Sequence, residues 1–243
     1  MKKAAIVLAA GQGKRMGGNV PKQYLTLAGK PILQHTLEAF EKSSVDDVIL
    51  VTGEQEISYC REHIVEPGGF HKVSNIVAGG TERYLSVFCG LKVVKGAQYV
   101  LVHDGARPFI TPEQIDEAAE LAYKYGAVAM GMPVKDTVKR VDAEGFVLET
   151  PPRKYMWQVQ TPQAFSYEKL CKAYEKVIQD KVSDITDDAM VWEYAFGSKV
   201  KMVTCSYENI KITTPEDIYI GEAILSSRKS TMPLHHSVRP PCR

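Results

Sequence analysis

The chain is as informative for what it lacks as for what it holds. Its five cysteines, Cys60, Cys89, Cys171, Cys205 and Cys242, are odd in number and form no CxxC pair. That argues against a zinc site or a disulfide framework, and it fits a reducing cytosol, so a cytoplasmic location is expected. No segment approaches the roughly 20 apolar residues of a membrane span. The apolar run Ala4–Ala10 behind Met1-Lys2-Lys3 is short and breaks at Gly11-Gln12-Gly13-Lys14-Arg15. A secretory signal would end in a cleavage site instead, so none is expected. Net charge is +1 over 243 residues. There is thus no global basic field for nucleic acid, and any anion must be held locally. Two nucleotide-binding fingerprints are also missing. Met16 stands where GxGxxG needs its third glycine, and again where GxxxxGK[ST] needs its second. A dinucleotide oxidoreductase is therefore disfavoured.

What is present reads as an ordinary globular chain, 44% hydrophobic and 24% charged, long enough to bury a core without staples. Short apolar strands alternate with amphipathic helices. Strands are expected over Ala4–Leu8, Asp47–Thr52, His71–Val77, Tyr99–His103, Ala127–Met132 and Lys199–Thr204. Helices are expected over Pro31–Phe40, Gln55–Ile64, Glu82–Val94, Pro112–Tyr125, Tyr167–Ile178, Asp187–Ala195 and Pro215–Leu225. This rhythm predicts an α/β fold of Rossmann-like type, a mainly parallel central sheet with helices on both faces. One domain spans residues 1–227. After Pro133 the rhythm breaks. Val138–Val141 and Phe146–Leu148 flank a glycine turn, which predicts a protruding β-hairpin arm over about 134–156. Such an arm cannot bury itself, and a second subunit is the expected surface for it. From Ser226 on the chain is polar and Pro-rich, and residues 228–243 are expected to be disordered.

Two segments carry chemistry. Leu8-Ala9-Ala10-Gly11-Gln12-Gly13-Lys14-Arg15-Met16 follows the first strand, where α/β sheets bind ligands. Glycines let backbone N–H groups approach an anion, and Lys14, Arg15 and Lys22 add positive charge. A tight turn with solvated charges is the plainer alternative. Val100-Leu101-Val102-His103-Asp104-Gly105-Ala106-Arg107-Pro108 runs an apolar strand into an acid. Asp104 suits a hard cation such as Mg²⁺, which takes one or two carboxylates plus substrate phosphates; a turn or cap residue is the alternative. Arg107 either pairs with Asp104 or holds a second substrate. His103 reads as packed, not catalytic.

Taken in order, these segments resemble the 2-C-methyl-D-erythritol 4-phosphate cytidylyltransferases of the non-mevalonate isoprenoid pathway. Besides the two above, the resemblance rests on Pro21-Lys22-Gln23-Tyr24, Gly79-Gly80-x-x-Arg83-x-x-Ser86-Val87, Pro133-Val134-x-Asp136-Thr137-x-Lys139, Gln160-Thr161-Pro162-Gln163, Thr186-Asp187-Asp188 and Asn209-Ile210-Lys211-Ile212-Thr213. The ribitol-5-phosphate cytidylyltransferases are related, but they typically read Ala-Gly-Gly in the first loop where this chain has Ala9-Ala10-Gly11. A nucleotide-binding regulatory protein without chemistry is a further alternative, yet Asp104 and the basic loop are intact. The resemblance implies a nucleotidyltransferase that joins CTP to a small sugar-alcohol phosphate with Mg²⁺ or another divalent cation. It implies that Ala9, Ala10, Gly11, Gly80 and Ser86 hold cytosine and ribose, and that Gly13, Arg15 and Lys22 hold the triphosphate. Arg15, Lys22 and Lys211 would surround the α-phosphate. Asp104 would ligate the metal, with Glu208 as a second ligand. Arg107, Thr137, Arg153 and Thr161 would contact the acceptor, some of them from the arm of a partner in a homodimer. Lys211 has a plainer alternative, a snorkelling strand residue.

Overall fold

The computed structural model describes residues 1–11 and 21–230. Gly13 and Arg15 lie outside the described residues, and so does the tail beyond Ser230. The strands are β1 (Lys3–Leu8), β2 (Thr26–Leu27), β3 (Lys30–Pro31), β4 (Asp47–Thr52), β5 (Val73–Ala78), β6 (Tyr99–Asp104), β7 (Ala127–Pro133), β8 (Arg140–Val141), β9 (Val147–Glu149), β10 (Trp157–Ser166) and β11 (Lys201–Thr204). The helices are α1 (Ile32–Lys42), α2 (Ile57–Cys60), α3 (Glu66–Gly68), α4 (Arg83–Leu91), α5 (Pro112–Tyr125), α6 (Tyr167–Gln179), α7 (Asp188–Phe196) and α8 (Glu216–Lys229).

Seven strands form one sheet in the order β11-β7-β10-β6-β1-β4-β5. Every neighbouring pair is parallel except those made by β10, which runs antiparallel to both β6 and β7. The expected strands are present, with small differences at their ends. β10 carries no strand signal in the sequence. Its run includes Gln158, Gln160, Pro162 and Gln163, and its register against β7 shifts between Val159 and Gln163. That bulge breaks the period-2 pattern by which strands are recognised.

Alternation along the strands feeds two cores. Ala5 and Val7 of β1 and Leu101 of β6 join one cluster with α1 and α5 residues such as Phe40 and Ile115. Ala4, Ile6, Val100 and Val102 face the other way, onto Val87 of α4, Tyr174 of α6 and Trp192 of α7. Both faces of the sheet are therefore covered. A smaller cluster, Leu27, Ile32, Phe109 and Ile212, packs against Ile218, Ile224 and Leu225 of α8.

The helix expected over Gln55–Ile64 is a composite instead. A 3₁₀ turn (Glu54–Glu56), α2, a π turn (Arg61–Val65) and α3 follow one another. Pro67 has no N–H for the carbonyl of His63 and its ring crowds that carbonyl, so the regular ladder cannot continue. At the other end, α8 runs two residues into the segment expected to be disordered. Arg228 accounts for this: its Nη2 donates to Phe109 O (2.9 Å) and Glu208 Oε2 (2.8 Å).

β7 and β10 pair as far as Pro133 and Trp157. Residues 134–156 between them form the arm, with β8 antiparallel to β9. Phe146 is 71% exposed and Val147 56%. The sheet itself reverses direction at β1. The chain leaves β1 for β4 and β5 on one side and returns to β6 on the other, which opens a crevice beyond the carboxyl ends of β1 and β6.

Close approach of β7 to β10 depends on Gly131. A Cβ there would lie 2.6 Å from Gln158 O and 2.8 Å from Met202 Cε. Gly131→Ala should therefore destabilise the fold by about 1–3 kcal/mol in urea titration. An unchanged midpoint would mean that the two strands do not pack so closely.

Candidate active site

The crevice holds a cleft of about 580 Å³, within the range of small-molecule sites. Backbone bonds stitch its loops to the strand ends: Ala9 N–H to Val51 O (2.6 Å), Gly79 N–H to Thr52 O (2.8 Å) and Gly105 N–H to Leu8 O (2.8 Å). Gly11 and Gly80 line it, and the loop behind it requires glycine at Gly79, where a Cβ would sit 2.7 Å from both Ala10 Cβ and Ser86 Oγ. The Ser86 hydroxyl accepts Gly80 N–H at 3.1 Å and lies 3.0 Å from Glu82 O, so it shapes the loop. Gln23 Nε2 donates to Ala9 O (2.6 Å) and Lys22 Nζ to Ile212 O (2.9 Å), anchoring the Pro21–Tyr24 turn along the rim. Tyr24 fixes that turn from below, its hydroxyl within 2.9 Å of Thr52 Oγ1 and 2.8 Å of Glu56 Oε2.

A second chamber of about 270 Å³ adjoins the first, lined by Arg107, Gln160, Thr161, Gln163, Thr186 and Asp187. The two chambers share Arg83, Asp104 and Lys211 as a common wall. Asp104 ends β6 with only 8% exposure. Its Oδ1 lies 3.3 Å from Arg83 Nε, and its Oδ2 lies 2.8 Å from Lys211 Nζ and 3.8 Å from Arg107 Nε. Burial alone would raise this carboxyl. Arg83, Lys211 and Arg107 outweigh it and hold Asp104 well below the usual carboxylate range.

Each cation is anchored in turn. Arg83 opens α4, where the helix dipole disfavours a cation. Its Nη2 reaches Asp188 Oδ2 (2.9 Å) at the start of α7, and Asp188 Oδ1 accepts the Tyr174 hydroxyl. Burial works against the charge of Arg83, and Asp188 and Asp104 overcome it. Arg107 Nη1 donates to Asn209 O (2.8 Å), while its Nε has no hydrogen-bond partner among the described residues. Lys211 is placed by Ile212 N–H bonding Ala106 O (2.8 Å).

His103 is wholly buried and packs on Phe40, ring centroids 5.2 Å apart. Burial pushes its imidazole down to about 4, so it is neutral at physiological pH. Its Nε2 lies 3.2 Å from Arg107 O, an atom that only accepts, so Nε2 carries the hydrogen. Nδ1 then accepts from Thr161 Oγ1 (3.1 Å), which itself accepts Asp104 N–H (3.0 Å).

The residues singled out from sequence thus divide. Ala9, Ala10, Gly11, Lys22, Gly80, Ser86, Asp104 and Lys211 line the cleft, and Arg107 and Thr161 the second chamber. Arg107 pairs with Asp104 and lines the second chamber. Lys211 is an ion-pair partner, not a snorkelling residue. Thr137 and Arg153 stand exposed on the arm, where Arg153 Nη1 donates to Lys135 O (2.7 Å). Glu208, expected as a second metal ligand, instead pairs with Arg228 (2.8 Å) and lines neither chamber. Gln23, Arg83, Asp188 and Asn209 stand in the motifs quoted above but carry no role there, and Tyr174 carries no sequence signal. A cation at a helix start was the available signal for Arg83.

A mainly parallel sheet with a glycine-lined cleft, opening on cations grouped about one carboxylate, fits an α/β nucleotidyltransferase, the class of its solved neighbours. Known proteins agree in detail. The family profile for 2-C-methyl-D-erythritol 4-phosphate cytidylyltransferase matches residues 3–227. A protein of that name from Alkaliphilus metalliredigens is 51% identical over 230 residues, 94% of this chain and 95% of the relative. One from Lachnoclostridium phytofermentans is 49% identical over 224 residues, 92% and 96% of the two chains. The solved 4-diphosphocytidyl-2C-methyl-D-erythritol synthase of Anaerococcus prevotii superimposes with a TM-score of 0.82 at 35% identity, covering 93% of this chain and 96% of that one. The Thermus thermophilus cytidylyltransferase gives a TM-score of 0.74 at 28% identity, covering 93% and 100%. The chain belongs to the 2-C-methyl-D-erythritol 4-phosphate cytidylyltransferase family.

The strut from Asp104 through Arg83 to Asp188 makes a stability prediction. Arg83→Met leaves Asp188 buried without a counter-charge and should cost about 3–5 kcal/mol in denaturant titration. Adding Asp188→Asn should recover part of that loss. Strictly additive losses would show that the two residues are not coupled.

Proposed function

We propose that this chain transfers CMP from CTP to 2-C-methyl-D-erythritol 4-phosphate, giving 4-diphosphocytidyl-2-C-methyl-D-erythritol and pyrophosphate. One observation carries the mechanism: the two chambers meet at a wall of Asp104, Arg83 and Lys211. CTP would lie over Ala9, Ala10, Gly11 and Gly80, with its α-phosphate toward that wall. The acceptor phosphate would lie in the second chamber against Arg107, whose guanidinium group is a donor type suited to phosphate oxygens.

The nucleophile is an acceptor phosphate oxygen. A phosphate monoester has its second ionisation near about 6, so it is largely dianionic at neutral pH and needs no general base. The oxygen forms a bond to the α-phosphorus, the bond to the bridging oxygen breaks, and pyrophosphate leaves with that electron pair. The protein's task is to bring an anion to a polyanion. Lys22 and Lys211, with Arg15, would supply fixed positive charge about the α-phosphate. Among the described residues no three His, Cys, Asp or Glu side chains cluster, so there is no all-protein metal cage. A single ionised carboxylate beside a triphosphate site is a donor set that Mg²⁺ accepts, with substrate oxygens and water as the other ligands. Asp104 would hold the ion, which when bound would offset phosphate charge.

Purified protein with Mg²⁺ and CTP should release pyrophosphate with 2-C-methyl-D-erythritol 4-phosphate and not with ribitol 5-phosphate. The reverse pattern would overturn the acceptor assignment. Lys211→Ala and Lys22→Ala should each lower kcat by about 10²–10³; a variant within threefold of wild type would remove that lysine from the mechanism.

The arm's exposed Phe146, Val147 and Leu148 support a homodimer in which Thr137 and Arg153 reach the partner's acceptor chamber. Lys211→Ala and Arg153→Ala chains, co-expressed and purified as a mixture, should then recover roughly a quarter of wild-type turnover, the share of sites left intact in hybrids. Activity no higher than that of the separate variants would show that each site is built from one chain.

A further inference from the structure

We propose that His103 is a positioning residue that fixes Asp104 and Arg107 relative to each other, through the two ends of the turn that carries them. Packing does not account for an imidazole at this place. Leu101, its neighbour on the same face of β6, is apolar, and the ring touches Phe40 in an apolar core. A leucine would fill the space without bringing two polar nitrogens into it, and such nitrogens are costly unless both are bonded.

Both are bonded, Nε2 to the turn directly and Nδ1 to it through Thr161. Arg107 N–H closes the turn on Asp104 O at 2.9 Å. His103 Nε2 donates to Arg107 O (3.2 Å) at its far end. Nδ1 accepts from Thr161 Oγ1 (3.1 Å), which accepts Asp104 N–H (3.0 Å) at its near end. The ring therefore spans the turn from inside the core. Thr161 extends the frame, because its carbonyl accepts from Asn209 Nδ2 (2.9 Å) and Asn209 O accepts from Arg107 Nη1 (2.8 Å). Asp104 stands on the wall the two chambers share and Arg107 lines the second, so the ring sets the spacing between the two substrates. A misplacement of about 1 Å at such a junction can cost on the order of 10²-fold in rate.

The two nitrogens can be tested separately, since a glutamine amide reaches about as far as Nε2 and an asparagine amide about as far as Nδ1. The inference rests on the reaction proposed above. His103→Leu, His103→Gln and His103→Asn would be assayed for kcat and for the KM of CTP and acceptor, with thermal melts alongside. His103→Leu should lose about 10–100-fold in kcat/KM for the acceptor. His103→Gln keeps the bond to Arg107 O, so acceptor KM should return to near wild type while kcat stays low. His103→Asn keeps the bond to Thr161, so kcat should recover while acceptor KM stays raised. A folded His103→Leu protein with wild-type constants would overturn the proposal. So would equal losses in all three variants that follow their melting temperatures. If the wild-type protein itself releases no pyrophosphate, the reaction is wrong. Calorimetric binding of inorganic phosphate then decides: roughly tenfold weaker binding in His103→Leu, restored in His103→Gln, supports the inference, and equal binding in all four proteins ends it.

Discussion

A carboxylate that must stay charged while almost out of water is the constraint from which the rest of this structure follows. Asp104 is 8% exposed and ionised. That state survives only with counter-charge close by, since an unpaired buried ion is strongly unfavourable. Arg83 comes from the start of α4, Arg107 from the turn after β6, and Lys211 from the loop after β11. None stands alone: Asp188, Asn209 and the Ile212–Ala106 backbone bond hold them in turn. The sheet order brings these distant segments to one edge, and the bulge in β10 aims Thr161 at the Asp104 backbone.

The same arrangement explains why the site offers no obvious acid or base. His103 has both nitrogens committed, and Asp104 is surrounded by cations. Neither is free to exchange protons with a substrate. A reaction between two phosphates does not require it. Preorganised positive charge and a fixed line of approach are enough, and a glycine-lined cleft leaves room for the nucleotide to lie close to the backbone.

Much of this was legible in the sequence, for physical reasons. Parallel strands buried on both faces are continuous apolar runs, so β1, β4, β6 and β7 stood out. A carboxylate closing such a run marked Asp104, and a polar stretch around Gly145 marked the arm. β10 was hidden because a bulge and three glutamines erase its alternation. The roles of Gln23, Asn209, Asp188 and Tyr174 were hidden because they lie in contacts between segments, which spacing along the chain does not encode. Glu208 shows the opposite: it adjoins Asn209 in sequence, while in space its carboxylate pairs with Arg228 and lines neither chamber.

The arm sits at the tip of one long antiparallel hairpin, not on a separate appendage. β7 and β10 are adjacent in the sheet, and residues 134–156 are the connection between them. Thr161, beside Asp104, lies four positions along β10 from Trp157 at the arm's base. At about 3.3 Å per residue that is roughly 13 Å of a single strand. The arm therefore continues directly into the strand that carries Thr161 to the Asp104 backbone, so one hairpin joins the exposed tip to the crevice.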